Sequence, residues 1–242
     1  MNYDSLLALV KKRRSIRRFK PDPIPAESID KIIEVARFAP SGFNMQPWDF
    51  VVVQKPALRD KIVEYIKAYW AESKQMESTR ESWQGKPWKT SGVIDAKMDF
   101  TTAPVFIILL GDPRTKPGLP MGLRYNKDRC QMVFSAGLSS AFLYMHLAAT
   151  TLGLASQWVS AISTPFAGCM IKDLLGIPHQ MEPYDMMALG YPAIQPSDKF
   201  MRKQEKMVHY DDCGPEDFRS DEEVKDFVVR ARNWTVGTHR RT

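Results

Sequence analysis

The residues of this sequence best suited to chemistry lie between Lys11 and Lys20, which read KKRRSIRRFK. Seven of these ten residues are basic, and Ser15 adds a hydroxyl group among the guanidinium groups. Arginine presents planar, forked donors that bind phosphate oxygens in pairs. A solvated charge run is the common alternative, but the interleaved Ile16 and Phe19 indicate a partly buried segment. We therefore predict that this segment is a receptor for a phosphate group.

A second candidate binding segment is APSGFNMQPW, residues 39–48. Ser41, Gly42 and Asn44 favour backbone turns and offer small polar contacts, while the two prolines stiffen the loop. Such a rigid loop suits a flat heteroaromatic ring that carries hydrogen-bonding atoms along its edge. The alternative to a binding role is an ordinary connection between a helix and a strand, anchored by Trp48.

Several kinds of catalysis are excluded because their motifs are missing. The sequence contains no GxSxG, HExxH or Walker A motif, and no GxGxxG fingerprint for a tightly held nicotinamide. The four histidines are isolated, and His146, on the longest predicted helix, is expected to be a hydrogen-bonded core residue. The three cysteines are far apart and predict a reducing compartment without disulfides. We predict no side-chain nucleophile and no metal site.

Charge and hydropathy limit the partners and the location. The formal net charge of +6 permits an anionic ligand or nucleic acid. No basic-aromatic pattern or RNA-binding signature recurs along the chain, so we expect no nucleic acid. The N-terminus places apolar residues before its charges, the reverse of a secretory signal. The apolar run of residues 105–110 is too short to span a bilayer. The prediction is a cytoplasmic protein without membrane association.

The elements that must position these motifs alternate between helices and strands, which indicates an α/β or α+β domain. The first predicted helix has Asp4 as its N-cap. The fourth carries a patch of small residues, which either permits close approach of another helix or a ligand or is simply buried. By residue number, the helices are 4–12, 25–39, 58–70, 129–151, 165–175 and a short one after 220. The strands are 50–53, 105–110, 154–159 and 186–189, and 112–126 is a loop.

We predict a single domain of residues 1–242 with two peripheral segments. Residues 70–100 are polar, interrupted by glycine and proline, and carry two tryptophans. Such a segment is either a lid over a binding site or an excursion that packs back on the core. Residues 196–242 are expected to extend over the surface, ending in the short helix that a Ser220–Glu223 capping box begins.

Taken in order, the motifs resemble the FMN-dependent nitroreductase superfamily. Each matching segment is weak alone, but their order and spacing, over roughly residues 11–210, make the resemblance specific. By residue number, the segments are RRSIRRF at 13–19, APSGFNMQPW at 39–48, AP at 103–104, LGLA at 152–155, LGYP at 189–192 and KFMRK at 199–203.

The resemblance implies an α+β fold, a nitroreductase-like three-layer α/β/α domain with a mixed, mostly antiparallel sheet. It also implies a homodimer that binds one FMN at each of two subunit interfaces. The phosphate and ribityl chain would be held by Arg13, Arg14, Ser15 and Arg17. Arg202 would complete the phosphate site, with the lysine that follows it as the reserve. A glutamine then stands where relatives often carry proline.

The isoalloxazine ring would lie between two further segments. The residues that would approach it from the partner subunit are Pro40, Ser41, Gly42 and Asn44. The strand residues that would face it are Trp158, Val159 and Ser160.

The implied reaction is flavin-centred and needs no catalytic side chain. NADH or NADPH would reduce the FMN, and a nitroaromatic or quinone would then take the hydride in the same site. Aromatic walls favour such a flat acceptor. The candidate substrate contacts are Tyr65, Tyr69, Trp70, Trp83 and Trp88.

Two alternatives stand beside this interpretation. The first is a reductive dehalogenase of halophenols or iodotyrosine-like substrates, because iodotyrosine deiodinases share the Arg-Arg-Ser-x-Arg and Ala-Pro-Ser-Gly elements. Glu64, Tyr65, Tyr69 and Lys89 lie where those enzymes carry a substrate lid, at a different spacing. Flavin-cleaving relatives commonly carry Asp where this chain has Ser15, which disfavours that activity. The alternative of another class is a nucleic-acid-binding module that uses the basic segment.

Overall fold

The computed structural model describes residues 2–78, 98–196 and 199–239. The helices are α1 Tyr3–Lys12, α2 Ala26–Arg37, α3 Pro56–Ser78, α4 Met121–Arg124, α5 Lys127–Thr151, α6 Pro165–Leu175 and α7 Asp221–His239. The strands are β1 Trp48–Val53, β2 Val105–Gly111, β3 Ala155–Val159 and β4 Glu182–Gly190.

The chain divides into two compact units. One comprises Met1–Tyr69 with Asp99–Gln195, and the other comprises Trp70–Met98 with Pro196–Thr242. The first unit contains the sheet and most of the candidate site residues. The prediction of a single domain with peripheral segments is not tested by this division and stays a prediction.

The sheet of the first unit has four strands in the order β1-β2-β4-β3, and each neighbouring pair is antiparallel. The prediction of a mixed sheet is therefore wrong for these strands. Within the described residues, parallel pairing is limited to an isolated bridge between Ser15 and Ser156. Successive strands are connected by a helix or by a long segment, so the antiparallel pairs form without tight hairpins.

The centre of the sheet is a continuous apolar strand buried on both faces. All seven residues of β2, VFIILLG, are buried, which is why the sequence shows an unbroken apolar run and no alternation. Val105, Ile107 and Leu109 face a core formed with α2 and α5. The neighbours Phe106 and Ile108, which point to the other face, are also fully buried.

Helix α5 forms the centre of that core. Its apolar residues Phe134, Leu138, Phe142 and Met145 recur at helical spacing and are almost fully buried. The side chain of Asn126 caps the helix by accepting the Arg129 N–H at 3.0 Å. Among the described residues, α5 is long and apolar enough to cross a membrane by length and composition, and half of its most apolar stretch is buried within the fold.

Most of the predicted elements are present, with corrections at their ends. Asn2 caps α1, since its side chain accepts the Ser5 N–H at 2.9 Å, and Asp4 lies in the first turn. The loop predicted at 112–126 contains a short 3-10 helix and α4. Helix α3 continues to Ser78, so the segment predicted to be irregular begins as helix. The final helix, α7, has 19 residues and is not short, and its predicted capping box is confirmed.

Candidate functional site

The basic segment leaves α1 and runs beside the edge strand β3. The Ile16 N–H donates to the Ser156 carbonyl at 3.1 Å, next to the bridge between Ser15 and Ser156. At its far end Phe19 is buried and bridges to Pro192, beyond the end of β4. Backbone pairing at both ends therefore holds the segment against the sheet. The prediction of a partly buried segment is confirmed.

The arginine side chains of this segment differ in exposure. Arg13, Arg14 and Arg17 are half-buried, whereas Ser15 and Arg18 are exposed. Burial lowers the pKa of Arg13 below its usual value. A guanidinium group that is disfavoured by loss of water is stabilised by an anion beside it. The geometry thus fits the predicted phosphate receptor.

Behind the basic segment lies His146 of α5, which is only 2% exposed. Its Nδ1 atom lies 2.7 Å from Ser156 Oγ, and its ring stacks on Trp158 with 5.6 Å between centroids. Burial, helped by the charge of Arg13, lowers the pKa of His146 to about 3. The prediction of a hydrogen-bonded core histidine is confirmed. His146 also joins α5, β3 and the basic segment, which no sequence signal indicated.

The APSGFNMQPW loop, residues 39–48, is locally strained. Three of its residues other than glycine have left-handed backbone angles, with φ of 54° at Phe43, 53° at Asn44 and 45° at Gln46. Such angles are uncommon and cluster at functional sites. Ser41 Oγ accepts the Gln46 N–H at 3.0 Å and helps to hold the turn. Phe43 is 63% exposed at the tip.

This loop packs directly on the small residues of α5. A Cβ atom added to Gly42 would lie 2.3 Å from Val133 Cγ1, and one added to Gly137 would lie 3.1 Å from Ser41 Cβ. Real Cβ contacts do not approach 2.3 Å, so the Val133 side chain would have to shift to admit a Cβ atom at position 42. The small-residue patch predicted on this helix therefore permits close approach of the loop.

We expect Gly42→Ala to destabilise the protein by about 1–3 kcal/mol through this overpacking. The measurement is the free energy of unfolding from urea titration. Gly118→Ala is the matched control, because a Cβ atom there meets nothing within 4 Å, and we expect a change within about 0.5 kcal/mol. Equal stability of the two variants would contradict the close contact between loop and helix.

The loop and the basic segment lie against different parts of α5. The loop contacts α5 at Gly137, whereas Arg13 acts on His146, nine residues further along the helix. At 1.5 Å of rise per residue, the two positions are about 14 Å apart along the axis. A ligand bound by both segments would either span that distance or receive the loop from a second chain.

Trp158, Val159 and Ser160 lie at the end of β3. Trp158 and Ser160 are exposed, whereas Val159 is buried on the other face, so only its backbone can contact a ligand on this side. Trp158 Nε1–H donates to Asp185 Oδ2 at 2.5 Å. Burial raises the pKa of Asp185 to about 7, against the opposing effect of this hydrogen bond.

Sequence reasoning missed Asp185. The signal was present, because Asp185 is a charged residue among the last six residues of β4, EPYDMMALG, all of which are buried. A carboxyl group within an otherwise buried apolar strand is expensive unless it is hydrogen-bonded. Its position in such a strand could therefore have marked it as a candidate site residue.

The predicted substrate contacts are only partly described. Tyr65 and Tyr69 lie half-buried on α3 in the first unit, and Trp70, half-buried, begins the second unit. Trp83 and Trp88 lie outside the described residues. The assignment of all five to substrate binding stays a prediction, as does a lid formed by residues 70–100.

Arg202 lies in the second unit. It is half-buried, and its Nη2 donates to the Lys206 carbonyl at 2.7 Å. The reserve candidate, Lys203, is exposed and lies 3.9 Å from a carboxylate oxygen of Glu205. A phosphate-binding role for either residue stays a prediction.

Comparison with known proteins identifies the family to which this fold and these motifs belong. The model of the nitroreductase family matches residues 10–191. The chain therefore belongs to the nitroreductase family, as the order of its motifs predicted. The nitroreductase-like fold, helices with a small antiparallel sheet, is confirmed. The three-layer arrangement and the homodimer stay predictions.

Its sequence relatives include two kinds of protein. Iodotyrosine deiodinase 1 of Rattus norvegicus is 30% identical over 201 residues, which are 80% of this chain and 64% of that protein. A provisionally named NADH dehydrogenase/NAD(P)H nitroreductase of Methanothermobacter thermautotrophicus is 28% identical over 191 residues, 79% of each chain. The match to the rat deiodinase thus spans less than two thirds of its length.

Solved structures show the same fold at lower identity. A nitroreductase with bound FMN from Bacteroides fragilis has a TM-score of 0.63 and 23% identity, over 88% of this chain and all of that one. NfrA2 of B. megaterium has a TM-score of 0.69 and 19% identity, over 99% of this chain and 85% of that one.

Proposed function

We propose that this protein is an FMN-dependent oxidoreductase that takes hydride from NADH or NADPH and reduces a small aromatic acceptor, a nitroaromatic or a quinone. The observation that carries the proposal is the basic segment of a nitroreductase-family chain, held by backbone pairing against β3 with three half-buried arginines. A solved protein of the same fold binds FMN.

The residues of the basic segment fit the phosphate group of FMN. Arg13, Arg14 and Arg17 supply the forked donors, and the exposed hydroxyl of Ser15 lies among them. Burial lowers the pKa of Arg13, so a phosphate would stabilise a charge that has lost part of its hydration. Resemblance adds Arg202 as a proposed further ligand, with Lys203 in reserve.

The remaining contacts orient the ring and exclude water. We assign the backbone of residues 158–160 to one edge of the isoalloxazine ring and the strained loop around Ser41 and Gly42 to the opposite side. When bound, FMN supplies the hydride chemistry. The protein contributes orientation and electrostatics, which is why no catalytic side chain is assigned.

A homodimer is part of the proposal on the resemblance to the family, and the positions of the loop and the basic segment, about 14 Å apart along α5, are compatible with it. A second copy would bring its loop to the first copy's arginines. Exposed apolar side chains are available for such an interface. They include Tyr3, Leu6, Phe43, Met132 and Leu143.

The second candidate function is reductive dehalogenation, which the 30% identity to the rat iodotyrosine deiodinase favours. Glu64, one residue of the candidate substrate lid, is exposed and pairs with Lys61 at 2.8 Å on the surface of α3. Lys89 lies outside the described residues. The assignment of these residues to a substrate lid stays a prediction.

A steady-state screen distinguishes the two functions. The protein is supplied with NADH or NADPH and, in turn, nitroaromatics, quinones, and iodo- or bromophenols. We expect oxidation of the nicotinamide with the first two classes of acceptor and no release of halide from the third. Halide release without nitro or quinone turnover would overturn the proposal in favour of the dehalogenase.

A further inference from the structure

A cavity of about 300 Å³ lies between the N-terminal half of α5 and the start of β4, closed at one side by the turn that follows β3. This is the lower end of the range for small-molecule sites, about 300–1,000 Å³. Phe134, Leu138 and Tyr184 provide apolar and aromatic walls, and Ser135 and Ser160 provide hydroxyl groups.

The cavity contains a buried carboxyl group. Asp185 lines it and is only 7% exposed. Its Oδ2 atom accepts the Trp158 Nε1–H. Burial raises the pKa of Asp185 to about 7, and this hydrogen bond is what opposes the effect. A buried carboxylate is unstable unless a positive charge or several donors compensate it.

The charged groups around Asp185 do not supply that positive charge. Lys116 Nζ lies 4.0 Å from Glu182 Oε1, donates to Gln131 Oε1 at 2.9 Å and lies 4.2 Å from the centroid of the Phe134 ring. It does not contribute to the pKa shift of Asp185. His146, stacked on Trp158, has a pKa of about 3 and is neutral.

The remaining polar groups of the cavity are neutral or already negative. The Tyr184 hydroxyl lies 2.5 Å from Ser139 Oγ, and Glu182 adds a second carboxylate at the rim. At the rim Lys116 already lies near Glu182 and Gln131, whereas inside the cavity an anion would meet the Asp185 carboxyl group. Above pH 7, where Asp185 is ionised, a neutral ligand would leave its charge uncompensated.

We propose that this cavity binds a small organic cation, a primary ammonium group on a flat apolar body, with Asp185 as its counter-ion. The carboxylate of Asp185 pairs with the ammonium group, and the hydroxyls of Ser135 and Ser160 accept its other hydrogens. The rings of Phe134 and Tyr184 take the apolar body. The Tyr184 ring can also attract the charge, whereas the Phe134 ring already has Lys116 over it. The proposal goes beyond the proposed redox function, and the two sites share Ser160, which would offer its backbone to the isoalloxazine ring and its hydroxyl to the ammonium group.

Three probes of the same shape test the charge requirement: benzylamine, benzyl alcohol and benzoate. We expect calorimetry at pH 8 to show that benzylamine binds at least tenfold more tightly than benzyl alcohol and that benzoate does not bind. Equal affinities for the amine and the alcohol would overturn the proposal, as would no benzylamine binding at millimolar concentration.

Two variants then assign the charge to a residue. Asp185→Asn keeps an oxygen that can accept the Trp158 N–H, and we expect it to weaken benzylamine binding at least tenfold without changing the binding of benzyl alcohol. Glu182→Gln is the matched control, because its carboxylate lies near Lys116, and we expect a change within twofold. The reverse pattern would place the site at Glu182 and contradict the proposal.

The unmodified protein provides an independent test should Asp185→Asn fail to fold. A primary ammonium stays charged between pH 8 and 5, since such groups titrate near a pKa of 10. Binding requires ionised Asp185, so the affinity for benzylamine should fall by up to about tenfold per pH unit as the pH drops below about 7. Affinity that is constant from pH 8 to 5 would refute the role of Asp185.

Discussion

The free energy of unfolding is expected to fall by about 3 kcal/mol less between pH 6.5 and pH 4 when His146 is replaced by glutamine. In the folded protein burial and the charge of Arg13 hold the pKa of His146 at about 3, whereas an unfolded histidine titrates near pH 6.5. Only the unfolded chain therefore takes up this proton as the pH falls. Stability from this group is present above pH 6.5 and is lost progressively down to pH 3.

The measurement is the free energy of unfolding from urea titrations at pH 7.5, 6, 5 and 4. The comparison uses the slope against pH, because glutamine also changes packing beside Phe142 and Trp158. His179→Gln is the matched control, since His179 is exposed, and its slope should equal that of the unmodified protein. If the free energy of unfolding of His146→Gln depends on pH as that of the unmodified protein does, His146 is protonated freely in the folded state.

Replacing Asp185 by asparagine is expected to raise the free energy of unfolding at pH 8 by up to about 4 kcal/mol. The dependence on pH is opposite to that of His146. Burial raises the pKa of Asp185 to about 7, whereas an unfolded aspartate titrates near pH 3.9. The folded state therefore holds this proton more tightly. Its stabilising effect is complete below pH 3.9 and is lost as the pH rises to 7, so the variant should gain stability relative to the unmodified protein at pH 8.

The same urea titrations test this prediction, with Asp30→Asn on the exposed side of α2 as the matched control. Between pH 4 and 6.5, His146 and Asp185 change the free energy of unfolding of the unmodified protein in opposite directions as the pH changes. In each variant, the pH dependence that remains should therefore come from the other residue. Asp185→Asn with no gain at pH 8 would show that this carboxyl group is ionised without penalty.

The elements and the basic segment were predictable because local patterns determine them. Apolar residues at helical spacing gave α2 and α5, and the unbroken apolar run gave β2 as a fully buried strand. The partial burial of Arg13 and Arg17 followed from the interleaved Ile16 and Phe19. These features depend on residues close together in the sequence.

The errors come from two sources. The C-terminal part of α3 was missed because its residues, AESKQMES, are polar, although Ala, Glu, Lys, Gln and Met are strong helix formers. The other features depend on residues distant in the sequence. Antiparallel pairing of β3 with β4 and the Ser156 contact of His146 are both of this kind. The left-handed backbone angles at Phe43, Asn44 and Gln46 were also missed, because none of these residues is a glycine.

A titration of flavin-free protein with FMN, followed by quenching of flavin fluorescence, tests the assignment of the basic segment to the FMN phosphate. We expect the unmodified protein to bind FMN and Arg13→Ala to lose about 1.5–3 kcal/mol, roughly tenfold or more in affinity. Arg18→Ala, an exposed arginine of the same segment, is the matched control and should change affinity less than twofold. Absence of FMN binding by the unmodified protein, or equal affinities for the two variants, would contradict the assignment of this segment to the FMN phosphate.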